Sequence, residues 1–325
     1  MTTAPDTVAV VIGRNEGERL RRCLQSLVRQ GCPVVYVDSG SRDGSVELAR
    51  ALGTEVVELD PALAFTAARA RNEGWRRALQ RWPATAHVQF VDGDCVVRDD
   101  WIATARAHLM SHPEVAVVCG RRRERHPERS WYNQLCDLEW AVPPGEARAF
   151  GGDAMVRAQA LRETGGYNPA LIAGEEPEWS VRLRQGGWKI QILPAEMTWH
   201  DADMHRFWQW WQRSKRAGYA YAEGVAMHGA PPERHGVREL RRAVGWGLLL
   251  PALILVGLLS GGVWAAALLL LYPLQWLRLA LTRRTPRPWL WSLFNTLGKF
   301  AEAQGAMRYW LLRLRHQHGR LIEYK

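Results

Sequence analysis

The chain has 325 residues, of which 47% are apolar and 23% are charged, and its formal net charge is +10. This composition excludes a generally disordered chain, because it supplies enough apolar surface for a sizeable core. The positive charge favours a polyanionic partner, which is nucleic acid, a phosphate-rich ligand or an anionic membrane surface. The five cysteines have no CxxC spacing, so neither a zinc site nor a disulfide framework is indicated.

The first 120 residues predict an alternation of strands and helices. Short Val-rich runs predict strands, and apolar residues at helical spacing predict helices. Strands are predicted over 8–13, 33–40, 54–59, 86–91 and 115–119, with helices around 20–28, 46–52, 67–80 and 101–110, and a later short strand over 189–193. This order predicts an α/β fold with a parallel sheet covered on both faces. In such sheets, ligands bind beyond the carboxyl ends of the strands.

Polar clusters follow three of these strands: "GRNEGER" the first, "DSGSRDGS" the second and "DGD" the fourth. Asp38 is either a nucleoside-binding carboxylate or the cap of an ordinary turn. Asp92 and Asp94 bind a metal ion, cap the next helix or form a turn. In an extended chain, residues two apart point the same way, so both carboxylates would face one ion. Such oxygen ligands suit Mg²⁺ or Mn²⁺.

Two further motifs carry charges at the start of predicted helices. In "ARARNEGW", Arg69, Arg71 and Asn72 either meet a diphosphate or form a solvated helix face. In "AGEEPEWSVRLR", Glu175 and Glu176 either complement the helix dipole or supply a general base.

A charge-free run extends from Ala243 to Leu277 and is flanked by arginines on both sides. It is longer than the roughly 20 residues that one membrane-spanning helix needs. Its central "LLSGGVW" predicts a turn, and the basic flanks place both ends in the cytoplasm, which favours a helical hairpin. A single long span and a buried helix pair of a soluble domain remain open. The following segment suits a membrane interface or an ordinary docking helix.

Taken in order, several motifs resemble the family 2 glycosyltransferases of GT-A fold over roughly residues 8–200. The motifs are "VVIGRNE", "VDSGSRDGS", "ARNEG", "VDGD", "GGDAMVR", "GGY" and "GEEPEWSVRLRQGGWKI". The resemblance implies a nucleotide-binding, mostly parallel sheet flanked by helices. It also implies transfer of a sugar from a nucleotide-diphosphate sugar to a hydroxyl, with inversion at the anomeric carbon.

The resemblance also implies residue roles. It makes Glu176 the catalytic base, with Glu175 as a rival, and it makes Asp92, Asp94 and His200 the ligands of Mg²⁺ or Mn²⁺. The donor contacts that it implies are Asn15, Glu16, Asp38, Ser39, Arg69, Asn72, Asp92 and Asp153.

Processive relatives carry a QxxRW motif, whereas here the corresponding segment is "QWWQRSKR", from Gln209. We therefore expect addition of one sugar per event. The resemblance favours a lipid-linked or saccharide acceptor in cell-envelope or exopolysaccharide synthesis, at the cytoplasmic face of the inner (plasma) membrane. It leaves no role for nucleic acid. A polyprenyl-phosphate sugar synthase, a glycoside hydrolase and a non-catalytic membrane scaffold remain as alternatives.

The sequence predicts four regions. A glycosyltransferase domain covers 1–228, a linker 229–242, a membrane-inserted hairpin 243–279 and an amphipathic C-terminal segment 280–325. The aromatic segment from Phe207 to Trp211 is expected to lie against lipid headgroups.

Overall fold

The computed structural model describes residues 5–317, and these divide into two compact units. The first, the sheet unit, runs to His126 and resumes over Glu139–Ala202. The second, the helical unit, comprises Pro127–Leu138 and the chain from Asp203 onward. These units divide the chain between Ala202 and Asp203, and the predicted domain boundary at residue 228 remains a prediction. Residues 1–4 and 318–325 of the predicted terminal regions lie outside the described residues.

The predicted elements of the first 120 residues are all present, with bounds that differ by a few residues. The strands are β1 Thr7–Gly13, β2 Val34–Asp38, β3 Glu55–Glu58, β4 His87–Asp92, β5 Cys95–Val97, β6 Val115–Glu124, β7 Gly145–Glu146, β8 Ala154–Arg157 and β9 Lys189–His200. The helices are α1 Glu18–Val28, α2 Ser45–Ala51, α3 Ala67–Arg81, α4 Trp101–Ser111, α5 Trp131–Glu139, α6 Ala158–Thr164, α7 Glu175–Gln185, α8 Phe207–His228, α9 Val237–Val244, α10 Leu250–Leu259, α11 Leu271–Thr282 and α12 Pro288–Leu314.

The strands of the described chain form one sheet in the order β3-β2-β1-β4-β8-β6-β9-β5, with β7 paired to β9. The expected parallel sheet is confirmed for β1 to β4. The other half is mixed, because β8 runs antiparallel between β4 and β6, and β5 runs antiparallel to β9. All five residues of β2 are buried, which requires helices on both faces of the sheet.

Helix α3 lies unusually close to the sheet. A Cβ added to Gly74 would fall well inside van der Waals distance of Cγ1 of Val10 and 3.0 Å from Cγ2 of Val37. Both valines are completely buried. Glycine at position 74 therefore permits this close approach, which also fixes the first turns of α3 beside the carboxyl ends of β1 and β2.

The helical unit contains α8 to α12 and most of α5. Helices α8 and α12 cross at glycines, since Gly218 faces the backbone of Glu302 and Gly305 faces the backbone of Lys215. Small residues at such crossings allow helix backbones to approach closely.

The aromatic start of α8 is partly core. Trp210 is buried in a cluster with Leu135 and Phe294. The expectation that the whole segment faces lipid is therefore wrong for Trp210, because packing against α12 removes it from the surface. Phe207 and Trp208 remain largely exposed.

Two helical stretches, Val237–Leu259 and Val263–Thr282, are long and apolar enough to cross a membrane by length and composition. The helical conformation is interrupted between them at residues 260–262, within the predicted turn. Only 17% of the most apolar part of the first stretch and 11% of that of the second are buried. The core helix pair of a soluble domain would be mostly buried. Helix α9 begins at Val237, inside the predicted linker, whose bounds remain a prediction. Membrane insertion remains a prediction.

We expect Gly74→Ala to lower the free energy of unfolding by about 1–3 kcal/mol, because the added methyl group overpacks the contact with Val10. This loss should exceed the helix-propensity gain of at most about 1 kcal/mol. Denaturant unfolding of the single variants and of Val10→Ala/Gly74→Ala measures the effect. The double variant should lose about 1 kcal/mol less unfolding free energy than the two single variants lose together. Strictly additive losses would contradict the proposed contact.

Candidate active site

The sheet brings the predicted polar clusters together at one edge. In the parallel register, Gly13 of β1 lies beside Asp38 of β2, and Ile12 of β1 lies beside Asp92 of β4. The carboxyl ends of three adjacent strands therefore carry the first, second and fourth clusters. The sequence predicted that each cluster follows a strand, and the sheet order makes the three strands neighbours.

Asp38 organises the loop that follows β2. Its Oδ1 accepts a hydrogen bond of 2.8 Å from the Tyr36 hydroxyl. Its Oδ2 accepts from the backbone N–H groups of Gly40 and Ser41, at 2.9 and 2.8 Å. The turn-capping interpretation is thus correct for Asp38, and its contact with a nucleotide remains a prediction.

The loops after β1 and β2 are joined through Asn15. Its N–H donates to the Ser41 hydroxyl at 2.9 Å, and its Oδ1 accepts from the N–H of Arg42 at 2.8 Å. Ser39 donates its N–H to the carbonyl of Gly13 at 3.0 Å. Glu16 pairs with Arg19 at 2.9 Å. The predicted donor residues Asn15, Glu16 and Ser39 therefore share one rim, and their ligand contacts remain predictions.

Two other predicted donor residues, Arg69 and Asn72, form hydrogen bonds with the backbone of neighbouring segments. Nη1 of Arg69 donates to the carbonyls of Asp60 and Leu63, at 3.1 and 2.9 Å. The Asn72 amide donates to the carbonyl of Tyr167 at 2.6 Å and accepts from its N–H at 3.0 Å. Asn72 is also buried, so the structure gives both residues anchoring roles. Their donor contacts stay predictions.

Arg71 connects the metal motif to the proposed base. Its guanidinium is 3% exposed and lies 2.8 Å from Oδ1 of Asp92. It also lies 3.2 Å from Oε1 of Glu175 and 2.9 Å from Oε1 of Glu176. The Tyr167 ring covers it, with 5.4 Å between Cζ and the ring centroid. One cation therefore holds three carboxylates from β4 and α7 in a single cluster.

The environment of Glu176 suits a proton acceptor. Burial and the neighbouring Glu175 raise the pKa of Glu176 to about 7, although Arg71 opposes the rise. Glu176 keeps 13% of its side chain exposed, whereas Glu175 keeps 5%. A carboxyl group that titrates near neutral pH and reaches solvent has the properties of a general base.

Asp92 is held in its ionised form. Burial alone would raise the pKa of Asp92, but Arg71 and Arg122 outweigh it and lower the pKa. Asp153 supports this geometry: its Oδ1 accepts from the N–H of Asp92 at 3.0 Å. Its Oδ2 accepts from Thr198 at 2.7 Å and pairs with Arg122 at 3.0 Å. Asp153 is 1% exposed and positions Asp92, and its predicted donor contact remains a prediction.

The expectation that Asp92 and Asp94 lie in an extended segment is wrong, and their binding of one ion remains a prediction. The chain turns over Gly93 and Asp94 at the end of β4, where the Gly93 N–H donates to the carbonyl of Ile12 in β1 at 2.8 Å. Asp92 accordingly faces the two arginines, whereas Asp94 faces His200, with 3.4 Å between Oδ1 and Nε2.

Asp94 and His200 form the better candidate for a metal site. The ligand atoms of Asp94, Cys95 and His200 lie within 4.8 Å of one another. Burial raises the pKa of the Cys95 thiol well above its usual value, which disfavours the thiolate form. Among the described residues, Nδ1 of His200 is buried without a hydrogen bond and lies 3.7 Å from Oε2 of Glu124. A carboxylate beside an imidazole is a donor set that fits Mn²⁺, and Mg²⁺ through the carboxylate.

Sequence reasoning missed several residues of this site. Arg122 and Glu124 lie in "RRRERH", directly after the buried part of β6, where the strand-end rule applies as it does after β4. Trp140 contacts both the Arg122 guanidinium and the His200 ring, at 5.4 and 4.7 Å. No local sequence pattern identifies Trp140 as a site residue, because only the tertiary structure brings it next to Arg122 and His200.

A family model described as "Glycosyl transferase family 2" matches residues 8–157, which contain β1 to β8, except for the first residue of β1, and the "DGD" turn. These residues are a glycosyl transferase family 2 domain. The protein is accordingly a glycosyltransferase, and its mixed α/β sheet is that of the GT-A fold.

This glycosyltransferase is similar to two curated proteins. It is 25% identical over 218 residues to glycosyltransferase AglE of Haloferax volcanii. The aligned region covers 62% of this chain and 69% of AglE. It is 24% identical over 287 residues to the succinoglycan biosynthesis protein ExoA of Rhizobium meliloti, which covers 82% of this chain and 84% of ExoA.

Among solved structures, the glycosyltransferase is similar to the mannosyltransferase PcManGT from Pyrobaculum calidifontis, in complex with GDP-Man and Mn²⁺. The TM-score is 0.64 at 21% identity, and the match covers 95% of this chain and 88% of that one. At this identity the likeness establishes the fold alone.

The two adjacent glycines of "GGDAMVR" provide a matched test of the cluster. A Cβ on Gly152 would lie 2.6 Å from Oδ2 of Asp92, 2.9 Å from Nη2 of Arg71 and 3.1 Å from Nη2 of Arg122. A Cβ on Gly151 would meet nothing within 4 Å. We expect Gly152→Ala to lower kcat/KM by about 100-fold through misplacement of these groups. Gly151→Ala should retain kcat/KM within a few-fold, and equal losses in both variants would contradict the assignment.

Proposed function

We propose that this glycosyltransferase transfers a sugar from a nucleotide-diphosphate sugar to a hydroxyl of a saccharide acceptor, with inversion at the anomeric carbon. The observation that carries the proposal is the placement of Glu176, a carboxyl group with a pKa of about 7, on the same arginine as Asp92. This arrangement puts a proton acceptor beside the strand end at which the family binds its donor.

Glu176 acts as the general base. Its carboxylate accepts the proton of the acceptor hydroxyl while the hydroxyl oxygen forms a bond to the anomeric carbon. The bond from that carbon to the diphosphate oxygen breaks, and the electron pair leaves with the nucleoside diphosphate. Arg71 holds Glu176 in place through the 2.9 Å ion pair, and Glu175 keeps the pKa of Glu176 high enough for proton transfer at neutral pH.

Asp94 and His200 would hold a divalent cation, with Asp92 as the further predicted ligand. A bound Mg²⁺ or Mn²⁺ supplies charge stabilisation to the leaving diphosphate. Asp92 can reach such an ion only by sharing its carboxylate with Arg71 and Arg122, which already contact it at 2.8 and 3.4 Å. The protein's own contribution is therefore a preorganised, ionised acid at the strand end.

The base favours a hydroxyl acceptor over a phosphate acceptor. A polyprenyl phosphate is ionised at neutral pH and requires no proton removal, whereas a sugar hydroxyl does. A carboxyl group tuned to a pKa of about 7 therefore supports saccharide transfer rather than a polyprenyl-phosphate sugar synthase. A non-catalytic scaffold would have no use for this tuning.

The acceptor is proposed to be a lipid-linked saccharide at the cytoplasmic face of the plasma membrane. Support comes from the two apolar, mostly exposed helices, from their arginine-rich flanks and from the likeness to a succinoglycan biosynthesis protein. Transfer is proposed to be non-processive. In place of a QxxRW motif, Gln209 caps the start of α8 by accepting from the N–H groups of His205 and Arg206, both at 2.9 Å.

Glu176→Gln should retain donor binding and lose turnover by about 100-fold or more, because no base then accepts the proton. In the wild type, kcat/KM should rise with pH through about 7, since the base must be ionised and its pKa is raised to that value. Calorimetry with nucleotide sugars and a pH profile of nucleoside diphosphate release measure the two effects.

Glu175→Gln is the matched control for the base. It should retain turnover and move the rising limb of the pH profile to lower pH, because the negative charge of Glu175 raises the pKa of Glu176. Loss of turnover in Glu175→Gln with normal turnover in Glu176→Gln would assign the base to Glu175 instead.

Asp94→Asn should weaken Mn²⁺ binding about 10-fold or more, because it removes a charged oxygen ligand. Titration of the full chain with MnCl₂, alone and with UDP or GDP, measures this affinity by calorimetry without any need for activity. Cys95→Ala removes the third member of the cluster and should leave the affinity nearly unchanged. If both variants bind Mn²⁺ as the wild type does, Asp94 is not a ligand.

A further inference from the structure

An open groove of about 390 Å³ lies within the helical unit, at the start of the apolar run. It is lined by Arg241, Arg242, Gly245, Trp246, Leu250 and Leu271. One end of the groove is thus cationic and the other is apolar. Nothing in the glycosyl transfer reaction uses these residues.

The groove forms where the helix changes its geometry. Between α9 and α10 the chain makes a π-helical turn over Gly245–Leu249. Such turns are rare and occur frequently at functional sites. On one side, Gly247 packs against the backbone of Lys299 in α12. The hydroxyl of Tyr272 in α11 donates to the carbonyl of Trp246 at 2.9 Å, which fixes the turn to the second apolar helix.

The two arginines at the cationic end are available to a ligand. Both are exposed, and among residues 5–317 neither has an ion pair. They are also the last charged residues before the charge-free run. Two arginines that line one groove can both bind a phosphate group, because their guanidinium groups offer several N–H donors to its oxygens.

The apolar end suits a hydrocarbon chain. Leu250 lies roughly 12 Å beyond Arg242 along the helix axis, at 1.5 Å per residue. Beyond it, the surface stays apolar, since Leu249, Leu253 and Leu274 are all more than half exposed. Trp246 lies between the two ends, as aromatic residues do at membrane interfaces.

We propose that this groove binds the phosphate headgroup of an anionic phospholipid, with Arg241 and Arg242 on the phosphate and the first acyl carbons along Leu250 and Leu271. The inference rests on the membrane insertion proposed above. A free phosphate ester would leave the apolar end of the groove unused. A zwitterionic headgroup carries its own cation beside the phosphate, so it would neutralise the two arginines less than an anionic headgroup does.

The test uses the full chain in vesicles of phosphatidylcholine, with or without 20 mol% phosphatidylglycerol, followed by native mass spectrometry of the retained lipid. The wild type should retain phosphatidylglycerol selectively. Arg241→Gln/Arg242→Gln should lose this selectivity by roughly 25-fold, at about fivefold per basic residue near an anionic surface.

Arg283→Gln/Arg284→Gln is the matched control, because it removes the same charge from an exposed arginine pair after α11 that does not line the groove. It should keep the selectivity. Equal losses in both double variants, or no loss in Arg241→Gln/Arg242→Gln, would overturn the proposal. Flotation of each variant with pure phosphatidylcholine vesicles after carbonate washing reports insertion separately. A protein that does not float refutes the membrane proposal rather than the groove.

Two competition arms distinguish the source of the phosphate. Glycerol 3-phosphate at millimolar concentration should not displace phosphatidylglycerol, because it lacks the hydrocarbon chain. Undecaprenyl phosphate at one-tenth of the phosphatidylglycerol content should not displace it either. Displacement by the first compound would assign the groove to a soluble phosphate ester, and displacement by the second would assign it to a polyprenyl lipid. Either result overturns the phospholipid assignment.

Discussion

The arrangement of the active site depends on the burial of one guanidinium group. Arg71 is 3% exposed, and it contacts Asp92, Glu175 and Glu176 within 3.2 Å. Neither the cation nor the carboxylates would be stable in this position alone, because an unpaired buried charge costs several kcal/mol. Together they fix the end of β4 and the first turn of α7 with respect to each other. The predicted metal motif and the predicted base are thereby held in one electrostatic cluster.

The same cluster shifts the pKa values of Asp92 and Glu176 in opposite directions. Two arginines keep Asp92 ionised, whereas burial and a neighbouring carboxylate raise the pKa of Glu176 to about 7. Two acids whose surroundings push their pKa values in opposite directions are suited to different roles. The antiparallel strand β8 lies between β4 and β6, and the residues just before it reach this cluster. Asp153 accepts a hydrogen bond from the N–H of Asp92, and Gly152 lies against Arg71 and Arg122.

The helical unit shows a different use of small residues. Glycines at positions 218, 247 and 305 let α8 and the start of the apolar hairpin approach the backbone of α12. This close packing retains Trp210 and Phe294 in a small core, while the apolar helices expose most of their side chains. An exposed apolar surface of this kind, flanked by arginines, is what a membrane-associated segment requires.

Much of the sheet unit could be predicted from the sequence, because its signals are local. Apolar runs of strand length and helical periodicity located β1 to β4 and α1 to α4, and polar residues after the runs located the binding edge. Extension of β6 to Glu124 and of β9 to His200 could not be predicted in this way. Both strands continue into polar sequence, and their pairing with each other maintains them.

The sequence by itself determined which side chains are present at the strand ends and that a family 2 glycosyltransferase pattern runs through them. Only the tertiary structure decided how those side chains are paired. Arg71 rather than Arg69 enters the cluster, Asp153 supports Asp92, and Asp94 turns toward His200. These outcomes depend on contacts between segments far apart in the chain, and the free energy of a buried charge depends on all of its neighbours at once.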